Sequence, residues 1–280
     1  MNTTTTATLP SSTRIVFIGG GNMASAIIGG LIRHGLPAAQ IQVIEPFEAT
    51  RQALLAQHGV TAVPDAPTAS AALSGADLLV WAVKPQVFGE AVAPVRAHTG
   101  KALHLSVMAG IRADAIATTT GAARIVRCMP NTPALIGQGM TGLFAAPAAT
   151  PADRMLAEAV IASTGGHLWV EREDLLDAVT ALSGSGPAYV FYFLEAMQQA
   201  GVELGLTADQ ARHLATATFT GGSALAAQSP EALATLRERV TSKGGTTYAA
   251  LTVMREAGMA ESFIAAMHAC AQRAKELGQA

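Results

Sequence analysis

The stretch I-V-F-I-G-G-G-N-M-A, residues 15–24, passes from an apolar β-branched run through three consecutive glycines into a helix-prone segment that continues to about Arg33. Gly19, Gly21 and Ala24 spell G-x-G-x-x-A, the turn that opens a dinucleotide-binding βαβ unit. Gly19 permits a tight turn off the strand. Gly21 lets backbone N–H groups approach a pyrophosphate at the positive end of the helix, and Ala24 lets helix and strand pack closely. The bland alternative is a tight strand-to-helix turn with no ligand. The order strand, glycines, helix favours the dinucleotide site.

Working outward, Ile41–Glu45 reads as the second strand and ends on an acid. In this architecture Glu45 suits a ribose 2′-OH, which favours NAD, whereas Arg51 close by suits a 2′-phosphate. The sequence leaves that choice open. A helix over Arg51–His58, a short strand at Val60–Val63 and a helix over Ala66–Ser74 follow. The nearly all-apolar runs at Asp77–Val83, Leu103–Val107 and Arg124–Met129 are what strands covered on both faces require. Shorter strands are expected at Gly139–Ala146 and His167–Val170. Lys84–Pro85 and the rigid Pro130–Asn131–Thr132–Pro133 fall just past strand ends, where open α/β sheets bind ligands. The alternation predicts a Rossmann-like, mostly parallel doubly wound sheet.

From Glu171 onward strand signals fade and Ala, Leu, Glu and Gln dominate. Leu175–Leu182 reads as a short helix stopped by Ser183–Gly186, with Pro187 opening the next helix, to Leu204. Thr207 caps Ala208–Ala227, Ser229–Pro230 starts Glu231–Val240, and helices over Thr246–Met254 and Ala260–Leu277 complete an all-α domain. The division expected is a disordered tail over 1–12, a dinucleotide-binding domain over 13–168 and a helical domain over 169–280. Thr241–Thr247 (T-S-K-G-G-T-T) combines hydroxyls, two glycines and a helix start, a nest for a carboxylate or phosphate.

The chain of 280 residues is 50% hydrophobic and 14% charged, against about 25% charged in ordinary soluble domains. Every apolar run is interrupted before the ~20 residues of a spanning helix, so the surplus points to a large apolar interface in a soluble homo-oligomer. A net charge of −2 offers no footprint for nucleic acid or an anionic membrane. Cys128 and Cys270 lack disulfide or metal spacing and read as core thiols of a reducing cytoplasm. The seven histidines lack metal-ligand spacing, so no metal is expected.

Five blocks in order, G-G-G-N-M-A (19–24), A-V-K-P-Q (82–86), M-P-N-T-P (129–133), S-G-S-G-P-A-Y (183–189) and R-V-T-S-K-G-G-T-T (239–247), resemble the pyrroline-5-carboxylate reductase family. The resemblance covers about residues 13–275. It implies reduction of the C=N bond of 1-pyrroline-5-carboxylate to L-proline with NADPH and/or NADH, in a homodimer or higher homo-oligomer whose helical domains intertwine. It places Gly19, Gly21, Asn22 and Met23 along the pyrophosphate; Val83, Lys84 and Pro85 line the nicotinamide half, and Met129, Pro130 and Asn131 sit near the ring. Ser242, Gly244, Gly245, Thr246 and Thr247 hold the substrate carboxylate, and Thr180 faces the ring nitrogen.

Two departures stand out: Lys243 where many members have a small residue or proline, and no asparagine in the loop Asp65–Ser70. A β-hydroxy-acid dehydrogenase of like architecture needs a helix lysine as acid, and no lysine occurs between Lys101 and Lys243. A non-catalytic dinucleotide sensor has no use for the nest at Ser242–Thr247.

Overall fold

The computed structural model describes residues 9–99 and 101–278. Among these, eight strands form one sheet in the order β3-β2-β1-β4-β5-β6-β7-β8. They are β1 (Ile15–Ile18), β2 (Ile41–Ile44), β3 (Ala62–Val63), β4 (Leu78–Trp81), β5 (Leu103–Ser106), β6 (Ile125–Met129), β7 (Gly139–Ala145) and β8 (Gly165–Trp169). β1, β4 and β5 are buried throughout because helices cover both faces. Period-two alternation assigns Ile15 and Phe17 to one core and Val16 and Ile18 to the other. The first core takes in α1 (Asn22–Arg33) and α6 (Pro151–Ala162), with Leu54 of α2 (Glu48–His58). The second takes in the short α3 (Ser70–Ser74) and α4 (Phe88–Val92), with α5 (Ala113–Thr120).

The sheet is parallel except where β7 pairs antiparallel with β6. The connection between those two strands is a loop with a short 3-10 turn over Thr132–Ile136, too short for the crossover a parallel neighbour needs. Strand order reverses between β1 and β4, which opens the crevice beyond their carboxyl ends.

The chain divides into two compact units: one ends at Ser185 and is rejoined by the chain from Cys270, the other is Gly186–Ala269. The expected boundary at 168/169 marks where strands stop. The contact boundary falls later because α7 (Leu175–Val179) packs on the sheet, with Val179 so close to Gly142 that a Cβ there would meet it at 2.7 Å. The segment Ser183–Gly186 does not stop the chain either. Thr180–Gly184 is a π-helical turn, with the Ser185 N–H donating to the Thr180 carbonyl at 2.8 Å, and it runs directly into α8 (Gly186–Glu203).

Next come α9 (Ala208–Gln228), α10 (Leu233–Arg239), α11 (Thr246–Glu256) and α12 (Met259–Leu277). Thr207 caps α9 through a reciprocal pair with Gln210, as its spacing predicts. Ser229 does not cap α10: its Oγ accepts only from the Glu231 N–H, Ala232 returns to extended backbone, and the helix starts at Leu233. The helix expected from Ala66 likewise begins only at Ser70, because Asp65 Oδ1 accepts from both the N–H and the hydroxyl of Thr68 and holds a turn.

Of the expected tail, residues 1–8 lie outside the described residues. Leu9–Ser12 is not loose: Leu9 packs on the first core, and the Thr13 N–H donates to the Pro10 carbonyl at 2.9 Å.

Candidate active site

Gly19 leaves β1 at φ +97° with its N–H on the Ile44 carbonyl at 2.9 Å. A Cβ here would stand 2.7 Å from the Ala82 carbonyl oxygen and 3.1 Å from Val83 Cγ1, so only glycine fits between the ends of β2 and β4. Gly21 is the N-cap of α1, and nothing lies within 4 Å of where its Cβ would be. Asn22 is exposed, Met23 is half-buried, and Ala24 is fully buried in the first core. Lys84 is exposed, with Val83 and Pro85 half-buried beside it.

The helix starts divide by chemistry. The N-termini of α6 and α9 carry threonine capping boxes and an acid in the first turn. The N-termini of α1 and α11 have neither a side-chain cap nor a first-turn acid. Their orphan N–H groups and positive dipole ends remain open to an anion. The glycine turn, the open space at Gly21 and this bare helix start fit a dinucleotide pyrophosphate.

Glu45 is buried, and both of its oxygens are used. Oε2 accepts from the Gly20 N–H at 2.8 Å and Oε1 from the Phe47 N–H at 2.9 Å. Its carboxylate therefore braces the glycine loop. Asn131 is also a brace: its Oδ1 accepts from the Met140 N–H at 2.9 Å, and Nδ2 donates to the Ser183 carbonyl at 3.2 Å. Gly184 makes room for the neighbouring Met129, whose Cε would lie 2.5 Å from a Cβ there. Pro130 between them is buried. The loop after β6 and the π turn are thus locked together, and Thr180 opens that turn. Thr180 Oγ1 donates to the Leu176 carbonyl at 2.8 Å, so its proton is committed and its lone pairs are what it offers outward.

Sequence reasoning missed a cluster beneath this corner. Glu173 accepts from the Ala113 N–H at 2.6 Å and from Arg127 Nη1 at 2.8 Å, and pairs with Arg112 at 3.2 Å. Arg127 is buried within β6, and its Nε has no partner among the described residues. Burial raises the Asp177 carboxyl above its usual range, against the pull of Arg127 and Arg112. The signal was legible: one arginine inside I-V-R-C-M must be paired if that strand is buried. Cys128, the next residue, is inert, because burial pushes its thiol well above the ordinary range.

In the second unit, Gly244 lies at φ +74° and Gly245 is the N-cap of α11, its N–H donating to the Ser242 carbonyl at 3.0 Å. Ser242 Oγ folds over this cap, 2.5 Å from where a Gly245 Cβ would stand. Thr246 and Thr247 form the first turn and are exposed. Lys243 is also exposed and lines a groove of about 820 Å³ with Tyr248, Met254 and Phe263.

Residues 173–277 match a family model described as pyrroline-5-carboxylate reductase dimerisation, and residues 14–110 one described as NADP oxidoreductase, coenzyme F420-dependent. The pyrroline-5-carboxylate reductase of Haemophilus influenzae is 42% identical over 94% of this chain and 97% of its own length. That of Pasteurella multocida is 40% identical over the same shares. The structure of the Coxiella burnetii pyrroline-5-carboxylate reductase superposes with a TM-score of 0.87 at 37% identity, covering 95% of this chain and 98% of that one. A Plasmodium falciparum pyrroline carboxylate reductase with NADP bound shares the fold at a TM-score of 0.84 and 24% identity, over 96% and 99% of the two chains.

Proposed function

This chain belongs to the pyrroline-5-carboxylate reductase family and reduces 1-pyrroline-5-carboxylate to L-proline with NAD(P)H, the last step of proline biosynthesis; on that premise, we propose which of its residues do the work. Ser242, Gly244, Gly245, Thr246 and Thr247 hold the substrate carboxylate. Gly19, Gly21, Asn22, Met23 and Ala24 form the pyrophosphate turn, with Val83, Lys84, Pro85, Met129, Pro130 and Asn131 around the nicotinamide half. The observation that carries the first assignment is the bare start of α11, with open N–H groups, no acid and the Ser242 hydroxyl laid over it.

NAD(P)H supplies the hydride that reduces the C=N bond. A cyclic imine protonated on nitrogen is already electrophilic, so the protein's task is placement, a contribution that can reach ~7–11 kcal/mol in well-oriented reactions. Thr180 faces the ring nitrogen as an acceptor for its N–H. Its own proton goes to the Leu176 carbonyl, and an unassisted hydroxyl is too weak an acid to protonate the imine at neutral pH. Glu45 and Asn131 act through the backbone they brace, holding the glycine loop and the loop after β6 in shape.

The chain is a homo-oligomer, and we propose a homodimer built through the second unit, whose α8, α10 and α11 bury no residue of their own. No helix among the described residues is long and apolar enough to cross a membrane. Cytoplasmic residence is our reading from the two free cysteines.

Loss of absorbance at 340 nm with 1-pyrroline-5-carboxylate tests the assignment. Thr247→Ala removes a hydroxyl from a charged ligand, so the KM for the imine rises about tenfold or more, while the KM for the nucleotide stays near wild type. Equal rises in both would remove the nest from the substrate site.

A further inference from the structure

β6 and the loop after it grip the segment that carries Thr180 at two points. At the far end, Asn131 Nδ2 donates to the Ser183 carbonyl at 3.2 Å, and Met129 lies where a side chain on Gly184 would stand. At the near end stands Glu173, just before α7, its side chain 11% exposed. Three segments meet on its carboxylate. Oε1 accepts from the Ala113 N–H of α5 at 2.6 Å and from Arg127 Nη1 of β6 at 2.8 Å, and Oε2 pairs with Arg112 Nη2 at 3.2 Å. Between the two anchors the chain passes from α7 into the π turn that Thr180 opens. Stability alone does not account for the near anchor. Apolar residues of like volume often match or better a buried ion pair, and this one leaves Arg127 Nε without a partner among the described residues. What the pair supplies is direction. Val179 against Gly142 seats α7 on the sheet, but an apolar contact lets a helix slide or turn, where charge-assisted hydrogen bonds fix its register.

We propose that Arg127 and Glu173 are positioning residues for the reduction: they fix the start of α7 so that the π turn presents Thr180 to the ring nitrogen of the substrate. The inference rests on the reading of Thr180 given above. A π turn holds one residue more than an α turn, and such single turns are frequent at functional sites. Here it is closed by the Ser185 N–H donating to the Thr180 carbonyl at 2.8 Å. With the far end held, relaxation of that turn to the α register would swing Thr180 by about 100° around the helix axis. Fixing both ends keeps the extra residue in the turn. Arg127 and Glu173 act through the backbone, not on the reacting atoms.

The test is a double-mutant cycle on kcat in the full-length oligomer, with active enzyme counted by nucleotide titration. Glu173→Gln keeps an acceptor for the Ala113 N–H and removes the charge that holds Arg127. It lowers kcat about tenfold or more, as a small misplacement of reacting groups does, and leaves the KM for the nucleotide near wild type. It also raises the primary isotope effect measured with cofactor deuterated at the transferred hydrogen, because hydride transfer is the step that slows. Thr180→Val lowers kcat as well, and adding Glu173→Gln to it costs little more, since both act through one hydroxyl. Arg127→Met repeats the Glu173→Gln loss, and Arg127→Lys, which keeps the charge, recovers part of it. Arg127→Met combined with Glu173→Gln regains thermal stability, because no buried charge is left unpaired, but not kcat. Losses that multiply with Thr180→Val, an unchanged isotope effect, or a kcat that returns together with stability would overturn the proposal. A wild-type kcat in Thr180→Val would instead remove the reading of Thr180, and the proposal with it.

Discussion

The two units of this chain bury themselves to very different degrees. In the first, Ile15, Phe17, Ile27, Leu78, Val80, Trp81 and Leu105 are wholly buried, and two cores sandwich the sheet. In Gly186–Ala269, Ala211 and Ala215 are the buried residues, while Phe191, Tyr192, Leu204, Leu233 and Val253 are each more than half exposed. Such a set of helices cannot offset the conformational entropy of folding with its own contacts. The first unit buries its own two cores, and the second leaves apolar faces open that the proposed dimer would cover.

The strongest way to break this contrast is to charge the open faces. Phe191→Glu or Val253→Glu abolishes the dimer in sedimentation velocity at micromolar concentration, with loss of activity. The wild-type second unit also unfolds at a midpoint that depends on protomer concentration, by about 1.4 kcal/mol of apparent stability per tenfold dilution. If both variants stay dimeric with an unchanged midpoint, the exposed apolar faces are not the interface.

The units differ in legibility for the same reason. Strand runs such as Leu78–Trp81 and the turn at Gly19–Ala24 announce themselves, because burial on two faces and a tight turn leave few residue choices. The glycine-capped helix start at Gly244–Thr246 was legible because two glycines and threonines mark such a start in the sequence. The roles of Glu45 and Asn131 were not: both residue types suit a ligand as well as a backbone brace, and only their partners in space decide between them. Nor was the π turn at Thr180–Gly184, since Ser-Gly-Ser-Gly reads as a stop. In the structure the chain continues through it, and Met129 lies where a side chain on Gly184 would otherwise stand.

Ion pairs sharpen the comparison next. Glu173→Ala leaves the buried Arg127 without its carboxylate, which costs about 3–5 kcal/mol in urea unfolding. It also loosens the segment leading to Thr180, so kcat falls with it. The Arg239–Glu231 pair of the second unit is far more exposed, and Glu231→Ala costs under about 1 kcal/mol. Similar losses at the two sites would mean that the first unit's pair is no better sheltered than the second's.

A smaller effect comes from His104, buried on β5. Trp81 Nε1 can only donate, and it lies 3.1 Å from His104 Nδ1, so that nitrogen must be unprotonated. Burial, with the Arg124 charge adding to it and the Thr99 carbonyl opposing it, lowers the imidazole from 6.5 to about 4. The folded state thus binds the proton less readily than the unfolded chain. Its stability is full above pH 6.5 and declines toward pH 4, by about 3 kcal/mol in total. His104→Phe flattens that slope in the first unit's unfolding, and a slope unchanged in the variant would assign the acid sensitivity elsewhere.

The finest distinction lies between two capping boxes of like geometry. Thr150 accepts from the Asp153 N–H at 3.2 Å and donates to its Oδ2 at 2.8 Å, while Thr207 accepts from the Gln210 N–H at 3.2 Å. Thr207→Ala costs about 1 kcal/mol, the ordinary value of a lost cap. Asp153, however, is buried and also bonded to Arg124. Burial alone would raise its carboxyl, but the hydrogen bonds from Arg124 and Thr150 outweigh burial and hold it below the usual range. Thr150→Ala therefore removes support from an ionised group and costs somewhat more than Thr207→Ala near neutrality. Because the folded carboxyl is depressed, that extra cost is present above the unfolded value of about 3.9 and fades as pH falls through the folded one. The neutral Gln210 leaves the Thr207→Ala cost level over the same range. Parallel pH profiles for the two variants would show that the buried carboxylate draws nothing from its cap.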